Sequence, residues 1–157
     1  MYNITGAQVT LYDYAEGAPW KFTDGIDYTF PAGTPVVIPA DGYLLLVKNP
    51  TAFTDRYGTI SGVQVVGPYD GRLDNAGETL ELGKPGDVAG GTRYYIRVDR
   101  VNYSDGLHPE DCPGGIDLWP TEADGAGKSL TRIVPADYGN DVINWQADDP
   151  SPGVSNP

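Results

Sequence analysis

The sequence predicts an all-β fold, and three observations predict it. Apolar residues fall in short runs rich in β-branched and aromatic side chains, and each run ends in a cluster of Gly, Pro, Asn or Asp. No window of about 11 residues or more keeps a 3.6-residue apolar period. The 21 glycines and 14 prolines of this 157-residue chain lie between the runs and punctuate them, which favours folded strands over low-complexity disorder.

Taken in order, residues 36–38 form the first run and stop at Pro39-Ala40-Asp41-Gly42. Residues 43–47 end at Asn49-Pro50, and 50–56 is the best helical candidate, a single short turn. Residues 63–66 close at Gly67-Pro68, and 79–82 at Gly83-Lys84-Pro85-Gly86. In Thr79-Leu80-Glu81-Leu82 the alternation turns the two leucines to a core and Thr79 and Glu81 to water. Residues 94–103 end at Ser104-Asp105-Gly106. Tyr94, Ile96 and Val98 share one face, while Val101 and Tyr103 follow the opposite phase. A bulge near Asp99-Arg100 would bring both sets to one side. Strands repeating at spacings of about 8–12 residues read as an antiparallel sandwich or barrel. The length suits one domain over residues 1–149, and the Pro/Ser-rich stretch 150–157 reads as an exit linker.

Composition narrows function. With 22 acidic against 10 basic residues the net charge is −12, which disfavours nucleic acid and anionic membranes as partners. One cysteine forms no internal disulfide, and no apolar run is long enough to span a bilayer. The chain opens on Met1-Tyr2-Asn3-Ile4 without a leader pattern, so export would rely on residues outside this sequence.

Catalytic patterns are weak. His108 and Cys112 could be drawn as a thiol dyad, but a loop histidine beside a partly buried cysteine is the plainer reading. There is no Gly-x-Ser-x-Gly elbow. Asp124-Gly125-Ala126-Gly127-Lys128-Ser129 lacks the first glycine of a phosphate loop, because position 122 is Glu. No two carboxylates stand out as a glycosidase-like pair. Calcium is the candidate cofactor, with none required: Asp70, Asp74, Asn75 and Asp124 sit in Asp/Asn/Gly loops that offer hard oxygen ligands, though the same residues are ordinary turn formers. Eleven tyrosines and three tryptophans could supply a sugar-stacking platform or a core. Asn3-Ile4-Thr5 and Asn102-Tyr103-Ser104 match the N-glycosylation sequon.

Several blocks, in order, resemble the lamin-tail domain family: Trp20-Lys21-Phe22-Thr23-Asp24-Gly25, Tyr28-Thr29-Phe30-Pro31-Ala32-Gly33-Thr34, Ile38-Pro39-Ala40-Asp41-Gly42-Tyr43 and Gly71-Arg72-Leu73-Asp74-Asn75-Ala76-Gly77-Glu78-Thr79-Leu80. Val98-Asp99-Arg100-Val101-Asn102-Tyr103, Trp119-Pro120, Gly125-Ala126-Gly127-Lys128-Ser129-Leu130, Asn144-Trp145 and the closing Pro152-Gly153-Val154-Ser155-Asn156 continue the series. The resemblance implies an immunoglobulin-like antiparallel β-sandwich. It also implies a non-catalytic interaction or spacer module of an exported or cell-surface bacterial multidomain protein, rather than an enzyme. Trp20 and Trp145 become core residues, and Gly71, Gly77, Gly125 and Gly127 turn positions.

Two departures from that family matter. The first strand looks clipped, which would leave a sheet edge for pairing with another chain, as in an edge-strand dimer. Residues 106–118 form an insertion before Trp119-Pro120, and loops carry individual function on such scaffolds. His108, Glu110 and Asp111 are therefore the ligand candidates for a protein or cell-surface partner. A carbohydrate-binding module is the alternative, with Trp119, Tyr57 and Tyr69 as its rings and a glycan as its partner.

Overall fold

The structure, a computed structural model, describes residues 1–155; Asn156 and Pro157, the end of the expected linker and of the closing block, lie outside the described residues. The chain is mostly β. Its strands are β1 (Val9–Thr10), β2 (Tyr12–Asp13), β3 (Ala18–Pro19), β4 (Lys21–Asp24), β5 (Val37–Ile38), β6 (Leu44–Leu46), β7 (Gln64–Val66), β8 (Gly77–Ala89), β9 (Thr92–Ser104), β10 (Ser129–Arg132) and β11 (Trp145–Asp148). They form small sheets: the antiparallel pairs β1–β5, β2–β3 and β10–β11, the three-stranded β4–β8–β9, and β6–β7.

The last pair corrects an expectation. β6 and β7 run parallel, with Leu44 opposite Gln64 and Leu46 opposite Val66, so the described strands are not uniformly antiparallel. A parallel partner requires a crossover, and the one α-helix among the described residues, α1 (Pro50–Tyr57), lies in it. This is where the sequence placed its helical turn. Asn49 caps α1 by accepting from the Ala52 amide at 3.0 Å, Pro50 sits in the first turn where its missing N–H costs nothing, and Gly58 ends it with a positive φ.

The dominant element is the β8–β9 hairpin, thirteen residues in each arm. Gly83-Lys84-Pro85-Gly86, expected as a turn, lies within β8; the real turn is Gly90-Gly91, both with positive φ as a two-residue hairpin loop of the I′ kind demands. Pro85 is tolerated in the strand because β4 pairs no further than Gly83, and a register shift follows between Pro85 and Val88. A second bulge leaves Val98 unpaired between Arg97 and Asp99, next to the position the phase change predicted. Leu82 faces the core as expected, but Tyr94, Ile96 and Val98 stay exposed: the side of this segment that carries Pro85, Arg93 and Tyr95 packs on the body, against Glu16 and Lys21, and their side faces water.

One apolar cluster holds the body together. Leu11, Phe30, Val36, Ile38, Leu44 and Leu82 come from five separate stretches of chain and are all buried. Trp20, Phe22 and Tyr28 pack around them, the Tyr28 ring meeting Phe30 edge-on at 5.1 Å. Trp20 thus adjoins the core, and Trp145 is half-buried against the buried Trp119 at 5.9 Å. Gly71, Gly125 and Gly127 take positive φ in turns and bends, whereas Gly77, also at positive φ, is the first residue of β8 rather than a turn position.

Asn3 is the buried polar centre of the N-terminal segment. Its Nδ2 donates to the carbonyls of Ala7, Ile38 and Pro39, and its Oδ1 accepts from the Thr5 amide and hydroxyl. The sequon at Asn3 is therefore occupied by internal hydrogen bonds. Asn102 is exposed, but it lies inside β9 opposite Thr79. The stretch 151–153 runs back along the body, with Gly153 against Ile60 and Val63.

Candidate functional site

The insertion at 106–118 is built as a framed loop. β9 delivers Ser104, whose hydroxyl donates to Asp117 Oδ2 at 2.5 Å. The same carboxylate accepts the His108 amide at 3.2 Å and, through Oδ1, the Trp119 amide at 3.1 Å. One side chain thus ties together the strand end, the start of the loop and its exit. Burial opposes ionisation of Asp117, but the Ser104 hydroxyl, the two amides and the Cys112 thiol outweigh it and hold its pKa below the ordinary carboxylate value. At the entry, Gly106 has φ +83°, and a Cβ there would collide with the Trp119 carbonyl and come within 2.7 Å of Thr121. Short 3-10 turns over Pro109–Asp111 and Pro113–Gly115 fill the interior.

What the frame presents is partly apolar. Leu107, Ile116 and Leu118 are 61, 63 and 65% exposed, although Trp119 beside them is only 9% exposed. The rest of the loop is acidic: no Lys or Arg occurs between Arg100 and Lys128.

His108 sits between two carboxylates, Nδ1 at 3.4 Å from Glu110 and Nε2 at 3.6 Å from Asp105. The Glu110 hydrogen bond, then the Asp105 charge, raise its pKa above 6.5. Glu110 in turn is lowered by its own backbone amide and by His108. Cys112 is raised by burial and by Asp117, so its thiol stays protonated near neutral pH. With His108 held by carboxylates and Cys112 turned to Asp117, the pair lacks the activated thiolate of a dyad.

His108, Glu110 and Asp111 bring ligand atoms within 4.8 Å of one another, the one such group of His, Cys, Asp or Glu among the described residues. These donors could hold a divalent ion, yet Glu110 and Asp111 are exposed, and exposed acids commonly cluster without one. Asp70, Asp74 and Asp124 join no such group among the described residues. The Asp74 carboxylate accepts the Ala76 amide and its carbonyl accepts the Tyr103 hydroxyl at 2.7 Å, so this residue shapes the turn into β8. Asn75 is exposed in a bend and Asp124 in the turn that closes the 121–123 3-10 helix, its amide donating to the Thr121 carbonyl, and Asp70 bridges Asp27 through its backbone.

The ring candidates do not converge. Trp119 is buried, which corrects its expected role as a surface platform: its indole packs on Trp145. Tyr57 is half-buried against Phe53 at 5.0 Å, and Tyr69 is half-buried under the Lys48 ammonium at 5.3 Å. The residue that sequence reasoning missed is Asp117. Its signal was an Asp two positions before Trp119, the spacing of an Asx turn.

The chain has a single histidine, so its NMR titration is unambiguous. The His108 midpoint is expected above 6.5, and Glu110→Gln should move it down. Because the folded value is raised, the associated stabilisation is present below the unfolded value and is lost as pH rises through the folded one. A midpoint at or below 6.5, or one indifferent to Glu110→Gln, would contradict this geometry.

No protein-family model, no curated protein and no solved structure matches the chain.

Proposed function

We propose that the chain is a non-catalytic interaction module of an exported or cell-surface multidomain protein, docking a protein partner through the 106–118 loop. The observation that carries this reading is the framed loop itself. Asp117 and Gly106 fix its two ends, and it holds Leu107, Ile116 and Leu118 in water instead of burying them. Rigid apolar side chains on a positioned loop lower the ordering cost of association. The acidic surroundings select a partner with an apolar pocket and a basic rim. The ordered blocks similar to lamin-tail domains support the exported multidomain setting and an immunoglobulin-like arrangement of the small sheets. That arrangement is also in keeping with a single core cluster fed by several sheets. The carbohydrate-binding alternative has less support, since Trp119 is buried and Tyr57 and Tyr69 are half-covered.

The test is peptide display against the purified chain, counter-screened with a triple variant, Leu107→Ser, Ile116→Ser and Leu118→Ser. Peptides rich in apolar and basic residues should be enriched, and the variant should bind them at least about tenfold more weakly. Equal binding by the variant, or no peptide enrichment alongside binding to a glycan array, would overturn the reading.

A further inference from the structure

The hairpin carries a second surface, distinct from the loop. β9 is an edge strand of the β4–β8–β9 sheet, and the two halves of its free edge differ. From Asp99 onward it is covered: Arg132 pairs with Asp99 at 2.9 Å, Gly139 lies against the Arg100 carbonyl, and the Asn102 amide donates to Asn140 at 2.6 Å. Over residues 92–98 the backbone pairs with β8 alone. There Tyr94, Ile96 and Val98 are 59, 53 and 45% exposed, with Val88 of β8 exposed as well. A long, open strand edge beside apolar side chains is the arrangement that folded proteins normally guard against.

Charge identifies the occupant. Residues 77–104 hold four acidic and four basic side chains, so the whole net charge of −12 lies elsewhere in the chain. Two copies approaching by their acid-rich segments would bring acid against acid, whereas the hairpin strips are neutral to each other. The strip is also self-complementary. In a two-fold antiparallel register centred on Ile96, Ile96 faces Ile96 and Tyr94 faces Val98 on the exposed face, while Arg93, Arg97 and Asp99 keep their partners Glu16, Glu81 and Arg132 within the chain. Apolar then meets apolar across the axis.

We propose that the open edge of β9 pairs with the same edge of a second copy of this chain, about a two-fold axis at Ile96. The contact is isologous, so it closes at a dimer rather than growing into a filament.

Sedimentation equilibrium from micromolar to near-millimolar chain tests it. The wild-type mass should rise from 16.8 kDa to twice that value. Ile96→Lys sets two ammonium groups against each other at the axis and should hold the chain at 16.8 kDa throughout, with its circular dichroism and melting unchanged. Val98→Lys is the second variant, should the first fail to fold. Ile96→Cys in a Cys112→Ser background should form a disulfide dimer on mild oxidation, while Leu73→Cys, away from the edge, should not. A wild type that stays monomeric, folded lysine variants that still dimerise, or equal crosslinking at 73 and 96 would each overturn the proposal. A monomer that captures only unrelated peptides along β9 would do so too.

Discussion

Replacing Phe30 by alanine is expected to destabilise the chain by about 3–5 kcal/mol, a loss in the melting midpoint of roughly 6–20 °C for a protein of this size. Phe30 is 1% exposed and sits where several short strands meet. Its amide donates to the Trp20 carbonyl, which fixes the backbone, and its ring touches the Tyr28 and Phe22 rings. The neighbouring strands are too short to collapse independently, so the cavity would persist and its cost add to the lost transfer energy. Chemical denaturation measures it, with Tyr14→Ala, at a 74% exposed ring, as a near-neutral control. A Phe30→Ala loss below about 1 kcal/mol would mean that the ring is not part of a packed core.

The second large effect is polar. Asn3→Ala is expected to cost about 2–4 kcal/mol, because it removes the side-chain donor to the Ile38 and Pro39 carbonyls and the acceptor of the Thr5 amide in a mostly buried site, leaving the Thr5 hydroxyl and the Ala7 carbonyl only each other. Asn3→Asp should be at least as harmful. It keeps an acceptor for Thr5 but turns the donating side toward three carbonyl oxygens as a carboxylate. If Asn3→Asp unfolds at the wild-type denaturant concentration, the hydrogen-bond hub is not formed in solution. The same hub bears on the sequon: a glycan on Nδ2 would displace these bonds, so modification of folded chain is expected to be absent.

Much of the β character was legible because turn chemistry is local. Asn49-Pro50 before an eight-residue helix, and the change of phase across β9, are signals written within a few residues of the features they produce. The hairpin turn was misassigned for a physical reason. Gly83-Lys84-Pro85-Gly86 has better turn residues than most loops, but the pairing of β4 with β8 stops at Gly83, so no β4 ladder bond is lost at Pro85. The exposure of Ile96 was likewise hidden, since a strand pattern fixes which side a residue faces and not whether anything lies there. Trp119 shows the same limit from the other direction: its burial depends on Trp145, brought to it from a separate stretch of chain. At the site, His108, Glu110 and Asp111 were singled out because 106–118 departs from the family the chain resembles, and their ligand atoms lie within 4.8 Å of one another. Asp117 was not, because its importance comes from Ser104, reached across a loop.

The two-glycine tip of the hairpin also sets an order in time. Gly77 finds Ser104, and every pair between them, by zipping from a turn that closes a minimal loop, an event on the microsecond scale. Lys21 must find Gly83, and Val9 must find Ile38, across far longer stretches of chain whose closure entropy has to be met before any contact rewards it. On these grounds the hairpin is expected to form before β4 and the core dock on it, and a stopped-flow or hydrogen-exchange pulse experiment reads the order. A chain in which only the hairpin had formed would present its apolar strip before the rest of the body could bury anything, with the net charge of −12 carried by the segments outside 77–104.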